Sequence, residues 1–460
     1  MRPRASTPAG GPREPLRLVS APSRPAALLV RDAHVLDPRS GLDGRRDVLV
    51  RGGVVAEIAA AGSIATAPDG VETVDGAGRH LFPAFVDPHV HLRTPGQEHK
   101  EDLETGTRAA AAGGYCAVVA MPNTDPVVDS APILNALLDA AAREARVPVG
   151  FTAAITRGLA GRELTDMAEL RALGAAAFTD DGRPVADAGV FRRALQYQRL
   201  CGGVLALHEE DPALSGAGAM HEGEVSALLG VAGIPSVSES TMIARDCALA
   251  EYEGARIHLQ HLSARESIAA VAAAKARGVQ VTCEVSPHHL TMTDEDVRGL
   301  DTRRKMNPPL RSEADRQALV EGLRSGVVDC IATDHAPHAR DEKEVPFEQA
   351  PMGTTGLETA FAAVHTDLVM PGTLPLALVV EKLTAGLGLL DLLVPRIAVG
   401  EPANLVLVDL AAEWTVGESG YESRSDNCCF AGRRLRGRVL LTVAAGAVAY
   451  RERSIMLSAA

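Results

Sequence analysis

Phe82-Pro83-Ala84-Phe85-Val86-Asp87-Pro88-His89-Val90-His91-Leu92-Arg93 leads from apolar residues into two histidines that are separated by one residue. In a β-strand, side chains at positions i and i+2 point to the same face, roughly 6–7 Å apart along the strand. His89 and His91 can therefore converge on one metal ion, because imidazole suits zinc, copper, iron and nickel. Arg93 falls on the same face if the strand continues, and would set a fixed cation there for a substrate carboxylate. Ordinary hydrogen-bonded histidines at a strand edge are the alternative interpretation of this pair.

The composition is that of a soluble globular protein, with 460 residues, 46% of them hydrophobic and 23% charged. A net charge of −13 argues against binding to nucleic acid or to an anionic membrane surface. No apolar run reaches the roughly 18 residues that would cross a bilayer, and the N-terminus lacks the apolar segment of a secretory signal. The seven cysteines are odd in number and form no CxxC motif, so we expect a reducing, cytoplasmic location without disulfides.

In the middle of the chain, short apolar strands alternate with helix-length segments, which is typical of βαβ units and a parallel sheet. Eight units over residues 81–392 predict an α/β fold, a (β/α)8 TIM barrel. The predicted strands are Leu81–His91, Cys116–Met121, Val149–Ile155, Ala175–Thr179, Gly203–His208, Arg256–His261, Val279–Val285 and Val328–Thr333. Predicted helices separate them, and glycines at their ends supply C-caps.

Both ends of the chain contain short strands that are too few to bury a core alone. We therefore predict one small β-sandwich domain built from residues 27–80 and residues 393–460. Residues 1–26 are rich in Arg, Pro, Ser and Gly without periodicity, which predicts a disordered tail.

Metal-ligand residue types recur where the predicted barrel strands end, the edge at which barrel enzymes place their catalytic residues. The strand-end residues are His89, His91, the pair Asp180-Asp181, His208, His261 and Asp334. Each of them alone has an ordinary structural explanation, but together they indicate a metal site. Four imidazoles and two carboxylates exceed the need of one four-coordinate zinc and can serve two metal ions if one carboxylate bridges. Such sites generate hydroxide and polarise carbonyls, so we predict metal-assisted hydrolysis of an amide or cyclic amide.

Six motifs resemble those of the amidohydrolase superfamily and, within it, of the bacterial type I dihydroorotases. The resemblance covers nearly the whole chain after the tail. The motifs are Asp87-Pro88-His89-Val90-His91-Leu92-Arg93-Thr94-Pro95-Gly96, Ala120-Met121-Pro122-Asn123-Thr124, Ala177-Phe178-Thr179-Asp180-Asp181-Gly182, Glu284-Val285-Ser286-Pro287-His288-His289-Leu290, Lys305-Met306-Asn307-Pro308-Pro309-Leu310-Arg311 and Ile331-Ala332-Thr333-Asp334-His335-Ala336-Pro337-His338.

The resemblance implies two Zn²⁺ ions per subunit. In this sequence the ligand sets would be His89, His91 and Asp334 for one ion and His208 and His261 for the other, with Asp181 and a hydroxide as bridges. Many relatives bridge with a carboxylated lysine on strand four. The segment Ala175-Ala176-Ala177-Phe178 offers no lysine, which argues against the hydantoinases.

The resemblance also implies the reaction and the substrate contacts. The reaction is the reversible conversion of N-carbamoyl-L-aspartate to (S)-dihydroorotate and water in pyrimidine biosynthesis, with Asp334 as the catalytic proton carrier. The implied substrate-binding residues are His91, Arg93, Asn123 and His338 on the carboxylate side and Asn307, Met352 and Gly353 at the ring amide.

Several alternatives stay open at this level. The first is another cyclic-amide hydrolase, such as an allantoinase or hydantoinase. The second is a non-catalytic scaffold for aspartate transcarbamoylase, which is disfavoured because all six ligands are present. A homodimer is expected, and an active enzyme that also binds aspartate transcarbamoylase is compatible with the sequence. The charged segment from His338 to Met352 is either a solvated loop or a lid over the substrate. His288 and His289 are expected on a strand, in structural roles.

Overall fold

A computed structural model describes residues 18–392 and 394–452 of the chain. In chain order the strands are β1 (Leu28–Asp37), β2 (Leu42–Arg51), β3 (Val54–Ala60), β4 (Glu72–Asp75), β5 (His80–Pro83), β6 (Phe85–Val90), β7 (Tyr115–Ala120), β8 (Val149–Phe151), β9 (Leu205–Leu207), β10 (Met220–His221), β11 (Gly233–Ile234), β12 (Arg256–Leu259), β13 (Gln280–Val285), β14 (Cys330–Ile331), β15 (Leu405–Thr415), β16 (Arg434–Ala444) and β17 (Ala447–Arg451).

The α-helices are also numbered in chain order. They are α1 (Leu103–Ala112), α2 (Ala131–Glu144), α3 (Met167–Leu173), α4 (Ala188–Cys201), α5 (Pro212–Ser215), α6 (Glu224–Leu229), α7 (Val237–Glu253), α8 (Arg265–Ala276), α9 (Pro287–Thr291), α10 (Glu313–Ser325), α11 (Arg340–Lys343), α12 (Ala360–Val364), α13 (Leu376–Leu383) and α14 (Gly386–Leu389). Within the described ranges, none of these helices combines the length and apolar character that crossing a bilayer requires.

Parallel strands form the predicted barrel. β6, β7 and β8 pair side by side in one group, and β9, β12, β13 and β14 pair in a second group. Phe178 connects the groups at one seam through parallel bridges to Ala153 and Leu205, and a bridge between Val90 and His335 connects them at the other. The eight-unit TIM barrel prediction is therefore confirmed, although the fourth unit contributes a bridging segment rather than a regular strand.

The predicted first barrel strand, Leu81–His91, is in fact two strands. β5 pairs with β15 and β1 in the terminal sheet, whereas β6 pairs with β7 in the barrel. Ala84 lies between them, and its N–H donates to Asn404 O. The predicted single strand is thus wrong in its first half, because tertiary pairing divides one continuous apolar run between two sheets.

Strands from the two ends of the chain form one eight-stranded sheet in the order β17-β16-β15-β5-β1-β2-β3. β4 pairs with the first residues of β1, along the edge whose later residues pair with β5. The ends of this sheet approach each other: Gly446 N donates to Ala403 O, and Ala403 N donates to Gly53 O. The sheet consequently folds over a core of its own, as the predicted sandwich requires. Gly53 and Gly446 are in close backbone contact, since a Cβ on Gly446 would lie 2.5 Å from Gly53 O.

The disordered-tail prediction is wrong for its second part. Residues 1–17 lie outside the described residues, but Val19 pairs antiparallel with Val149 of β8. Further along, Ala21 N donates to Ala145 O and Ala26 N donates to Gly446 O. This segment therefore runs along the barrel edge and enters the terminal sheet. Its hydrogen-bond partners are distant in the sequence, so no local hydrophobic periodicity predicts that this segment is ordered.

The local helix predictions depend on caps, and these are present. Asp102 accepts a hydrogen bond from Thr105 N at the start of α1, and α7 ends at Gly254 with a left-handed φ of 63°. One local assignment is wrong: His288 and His289 lie on the short helix α9, not on a strand. Pro287 begins that helix at its first position, where a missing N–H is tolerated.

Candidate metal centre and active site

The predicted first ligand group meets at the carboxyl ends of β6 and β14. His89 Nε2 lies 3.6 Å from Asp334 Oδ1, and His91 Nε2 lies 3.1 Å from the same oxygen. The two histidines are brought together by the alternation of β6, and Asp334 enters from the other side of the barrel seam.

The predicted second group surrounds one carboxylate oxygen. Asp181 Oδ1 lies 3.7 Å from His261 Nε2 and 3.9 Å from His208 Nδ1, and these two nitrogens are 2.9 Å apart. His208 follows β9 and His261 follows β12, which are neighbouring parallel strands. Their imidazoles therefore reach the same edge of the barrel.

Asp181 lies between the two groups. Its Oδ1 is 3.5 Å from His89 Nε2, and its Oδ2 is 3.5 Å from His91 Nε2. Asp181 thus faces ligand atoms of both groups, whereas the preceding Asp180 accepts hydrogen bonds from the Thr156 backbone and hydroxyl and does not face the centre. The choice between the two aspartates, which spacing alone left open, follows from these contacts.

The chemistry of these side chains fits metal ions. None of the six is more than 8% exposed, and two of them are carboxylates. His89 Nε2 is buried and has no hydrogen-bond partner, so its lone pair points into the space between the groups. Burial opposes ionisation of Asp181, yet its pKa lies well below the ordinary value because the neighbouring imidazoles of His89 and His261 favour the carboxylate. Clusters His89–His91–Asp334 and His89–Asp181–His261 can each hold a metal ion.

Three predicted site residues have left-handed backbone conformations. The φ angles are 58° for Arg93, 33° for His261 and 47° for Asp334. Such conformations are unfavourable for residues other than glycine and concentrate at functional sites. In this barrel they turn the chain sharply where a strand ends, so that the side chain points into the mouth.

The predicted carboxylate-binding residues lie beside the centre. Arg93 is buried and donates from Nε to Pro337 O at 3.0 Å, which orients its guanidinium. His338 donates from Nε2 to Met352 O at 2.9 Å. A Cβ on Gly353 would lie 2.8 Å from Ala336 Cβ, so only glycine fits the close approach of this segment to His338.

The two predicted asparagines are engaged with other side chains. Asn123 Oδ1 lies 2.9 Å from His91 Nδ1, and its Nδ2 donates to Asp181 Oδ2 at 3.2 Å. Asn123 therefore orients two predicted ligands. Asn307 Nδ2 donates to Glu210 Oε2 at 2.6 Å.

Two carboxylates behind the ligands were not predicted. Glu284 Oε1 lies 2.6 Å from His89 Nδ1, and Glu210 Oε2 lies 3.2 Å from His208 Nε2. Burial opposes ionisation of Glu284, but His89 and His258 lower its pKa to about 2. The sequence held a signal for Glu210, because it follows a ligand by two residues. Glu284 lies in one of the quoted motifs but 195 residues from His89.

Glu209 is directed away from the ligands. It lines a small cavity with Asp180 and Asp246, behind His208. Burial and the adjacent Asp246 raise the pKa of Glu209 well above its ordinary value. This shift favours the protonated form of the Glu209 carboxyl.

The segment from His338 to Met352 is not a plain solvated loop. Lys343, Phe347 and Ala350 are buried. The Lys343 ammonium donates to Thr302 O and Pro351 O, at 3.0 and 2.7 Å. Lys305 donates to Phe347 O and Glu348 O, so buried lysines join this segment to the turn that precedes Asn307.

Known proteins match most of this chain in sequence. The family described as "Dihydro-orotase-like" matches residues 78–267. A dihydroorotase from Anaeromyxobacter sp. (strain K) is 48% identical over 431 residues, which span 92% of this chain and 98% of that protein. A dihydroorotase from Citrifermentans bemidjiense is 44% identical over 424 residues, with 92% and 99% covered.

The chain belongs to the dihydroorotase family.

Solved structures of other proteins share the fold of this dihydroorotase-family chain. An L-hydantoinase (dihydropyrimidinase) from Arthrobacter aurescens superimposes with a TM-score of 0.80 at 25% identity, covering 93% of this chain and 96% of that one. A dihydropyrimidinase from Brevibacillus agri NCHU1002 gives 0.79 at 21% identity, with 92% and 95% covered. The higher identity to the dihydroorotases favours their activity over a hydantoinase-like one.

Proposed function

We propose that this chain catalyses the reversible cyclisation of N-carbamoyl-L-aspartate to (S)-dihydroorotate and water, a step of pyrimidine synthesis. The observation that carries the proposal is that four buried imidazoles face Asp181 and two of them also face Asp334, beside the buried guanidinium of Arg93. The substrate carries a carboxylate and a cyclic amide, and the site pairs a cation with a place for hydrolytic metal ions. We propose the cytoplasm as the location.

The proposed cofactor is two Zn²⁺ ions per subunit. His89, His91 and Asp334 would hold one, His208 and His261 the other, and Asp181 with a hydroxide would lie between them. When bound, the ions supply a nucleophilic hydroxide at neutral pH and polarise the carbonyl that is attacked.

The residues around that centre have separate proposed tasks. Asp334 accepts the proton lost by the attacking oxygen in hydrolysis and delivers it to the leaving nitrogen. Arg93 and His338 bind the substrate carboxylate, and the guanidinium is preorganised by its hydrogen bond to Pro337 O. Asn307 and the backbone at Met352 and Gly353 contact the ring amide. His91, itself a proposed ligand, and Asn123 border the same space and contact the substrate.

The test incubates purified, zinc-loaded protein with (S)-dihydroorotate and measures the loss of ultraviolet absorbance of that substrate. Allantoin and hydantoin are assayed in parallel. We expect selective, chelator-sensitive turnover of dihydroorotate. An Arg93→Met variant should lose it mainly through KM, because the carboxylate loses its cation. Turnover of hydantoin or allantoin instead would refute the proposed substrate. A folded protein that holds no metal and turns over nothing would favour a scaffold for aspartate transcarbamoylase.

We further propose a homodimer, and a complex with aspartate transcarbamoylase as an additional assembly of the active enzyme. Size measurement of the purified chain alone and with that partner tests both. A chain that elutes as a monomer at micromolar concentration would refute the dimer.

A further inference from the structure

A row of hydrogen-bonded side chains lies inside the barrel beneath the metal centre. It begins at His89, whose Nδ1 is 2.6 Å from Glu284 Oε1. Glu284 Oε2 is 3.1 Å from His258 Nε2, and His258 Nδ1 is 2.9 Å from Thr282 Oγ1. His89, Glu284 and His258 are at most 2% exposed, so the contacts among these three side chains are shielded from water, whereas Thr282 is half-buried.

Strand register places this row. Thr282 and Glu284 lie two residues apart on β13 and so share its interior face. His258 is the direct neighbour of Thr282 in the pairing of β12 with β13. The three side chains are therefore held by adjacent barrel strands, and not by loops.

The positions of hydrogens follow from the acceptors. His89 Nε2 faces the metal centre without a hydrogen-bond partner. If Nε2 binds a metal ion through its lone pair, the ring proton is on Nδ1 and is donated to Glu284. His258 donates from Nε2 to the other oxygen of Glu284, and its Nδ1 accepts from the Thr282 hydroxyl. Each of these polar atoms then has a partner.

Glu284 also contacts the second ligand group. Its Oε1 accepts the backbone N–H of His261 at 3.3 Å. One buried carboxylate thus holds the side chain of a ligand in the first group and the backbone of a ligand in the second. The left-handed φ of 33° at His261 makes this backbone contact important, because the conformation needs support from its surroundings.

A metal ion is not the better explanation of this cluster. Atoms of His258, Glu284 and Cys330 lie within 4.8 Å of one another, which is close enough for a third ion. Both nitrogens of His258 are already engaged, by Glu284 and by Thr282, so no lone pair remains for a metal.

We propose that Glu284 is a positioning residue for both metal sites, and that His258 and Thr282 hold its carboxylate in place. It selects the ring tautomer of His89 that leaves Nε2 free and fixes the backbone of His261. Carboxylates behind ligating histidines raise ligand basicity, and their loss typically lowers metal affinity 10–100-fold. This inference rests on the proposed metal-dependent function but not on the identity of the substrate.

The experiment compares zinc retention in four proteins: the wild type, Glu284→Gln, Thr282→Val and Glu358→Gln. Each is zinc-loaded, equilibrated with increasing chelator and assayed for bound zinc, apo-protein melting temperature, kcat and KM. Glu358→Gln is the matched control, since Glu358 is a carboxylate that accepts backbone N–H groups of Glu422 and Ser423 away from the centre.

We expect Glu284→Gln to release zinc at roughly 10–100-fold lower chelator concentration, with kcat reduced more than KM. Thr282→Val should release it at a concentration lower by about 3-fold, because it removes only the far end of the row. The Glu358→Gln protein should retain zinc as the wild type does. A merely structural role would lower the apo melting temperature without changing zinc retention.

Wild-type zinc retention and kcat in a folded Glu284→Gln protein would overturn the proposal. If that variant does not fold, unchanged retention in Thr282→Val would overturn it equally. A wild-type chain that binds zinc but hydrolyses a different cyclic amide would refute the proposed substrate and leave this inference standing. A wild-type chain that binds no zinc would refute both.

Discussion

Asn307 Nδ2 lies 2.6 Å from Glu210 Oε2, the same carboxylate oxygen that lies 3.2 Å from His208 Nε2. A proposed substrate contact and a proposed metal ligand therefore share one anchor at the mouth of the barrel. His208 presents its other nitrogen, Nδ1, towards Asp181 and His261.

This shared anchor leads to a prediction for Glu210→Gln. The glutamine oxygen carries no charge, so it holds His208 and Asn307 more weakly than the carboxylate oxygen that both contact. We expect KM for dihydroorotate to rise about 10-fold and zinc to be lost at lower chelator concentration, as steady-state kinetics and metal analysis will measure. Glu144→Gln, at an exposed position on α2, is the control. Unchanged KM and zinc content would show that Glu210 is not an anchor.

Asp334→Asn should retain the fold and most of the metal but lose at least about 100-fold in kcat. The amide oxygen can still face His91, whereas the amide cannot take up the proton. Stopped assays in both reaction directions, with metal analysis of the same samples, measure this. Asp341→Asn, an exposed change on α11, should be fully active. An active Asp334→Asn enzyme would remove Asp334 from the proton transfer.

Removal of metal should abolish turnover and lower the melting temperature. The two carboxylates and four imidazoles place their ligand atoms 2.9–3.9 Å apart. Bound cations would engage these atoms together and so tie the barrel segments that carry them to one another. Stability should rise again with zinc concentration, since a ligand that binds only the folded state stabilises it by mass action. Calorimetry of chelated and zinc-restored protein measures the effect. A melting temperature that does not depend on zinc would contradict a metal centre of this kind.

Glu358 should make stability depend on pH. Burial raises its pKa from 4.5 to about 7, so the folded chain binds a proton more tightly than the unfolded chain. Stability from this group is fully present below pH 4.5 and is lost as pH rises through 7, by about 3 kcal/mol. The melting temperature of Glu358→Gln relative to wild type should therefore rise between pH 5 and pH 8. A constant difference between the two proteins would mean that Glu358 is ionised in both states.

Local sequence was sufficient to predict which residues form the candidate metal centre. Parallel barrel strands all end at one edge, so the position of a residue after its strand predicts where it lies. His89, His208 and His261 were placed in this way, before any contact between them was known. Helix boundaries were also predictable, because caps such as Asp102 act within one turn.

The partners of those ligands were not predictable in the same way. Asn123, a predicted substrate contact, also contacts His91 and Asp181, and Glu284 contacts His89 from another strand. Pairings of this type depend on which strands become neighbours, which no local pattern records.

The sequence by itself determined the barrel, the ligand types and the edge at which they lie, because strand alternation and chain order are local properties. Only the tertiary structure decided that β5 leaves the barrel for the terminal sheet and that Val19 joins β8. It alone showed the contacts that separate the paired aspartates: Asp180 accepts from Thr156, whereas Asp181 faces both ligand groups. These outcomes depend on packing and hydrogen bonding between segments that are distant in the chain. Several strand pairings are compatible with the same local pattern, and only long-range contacts determine which of them forms.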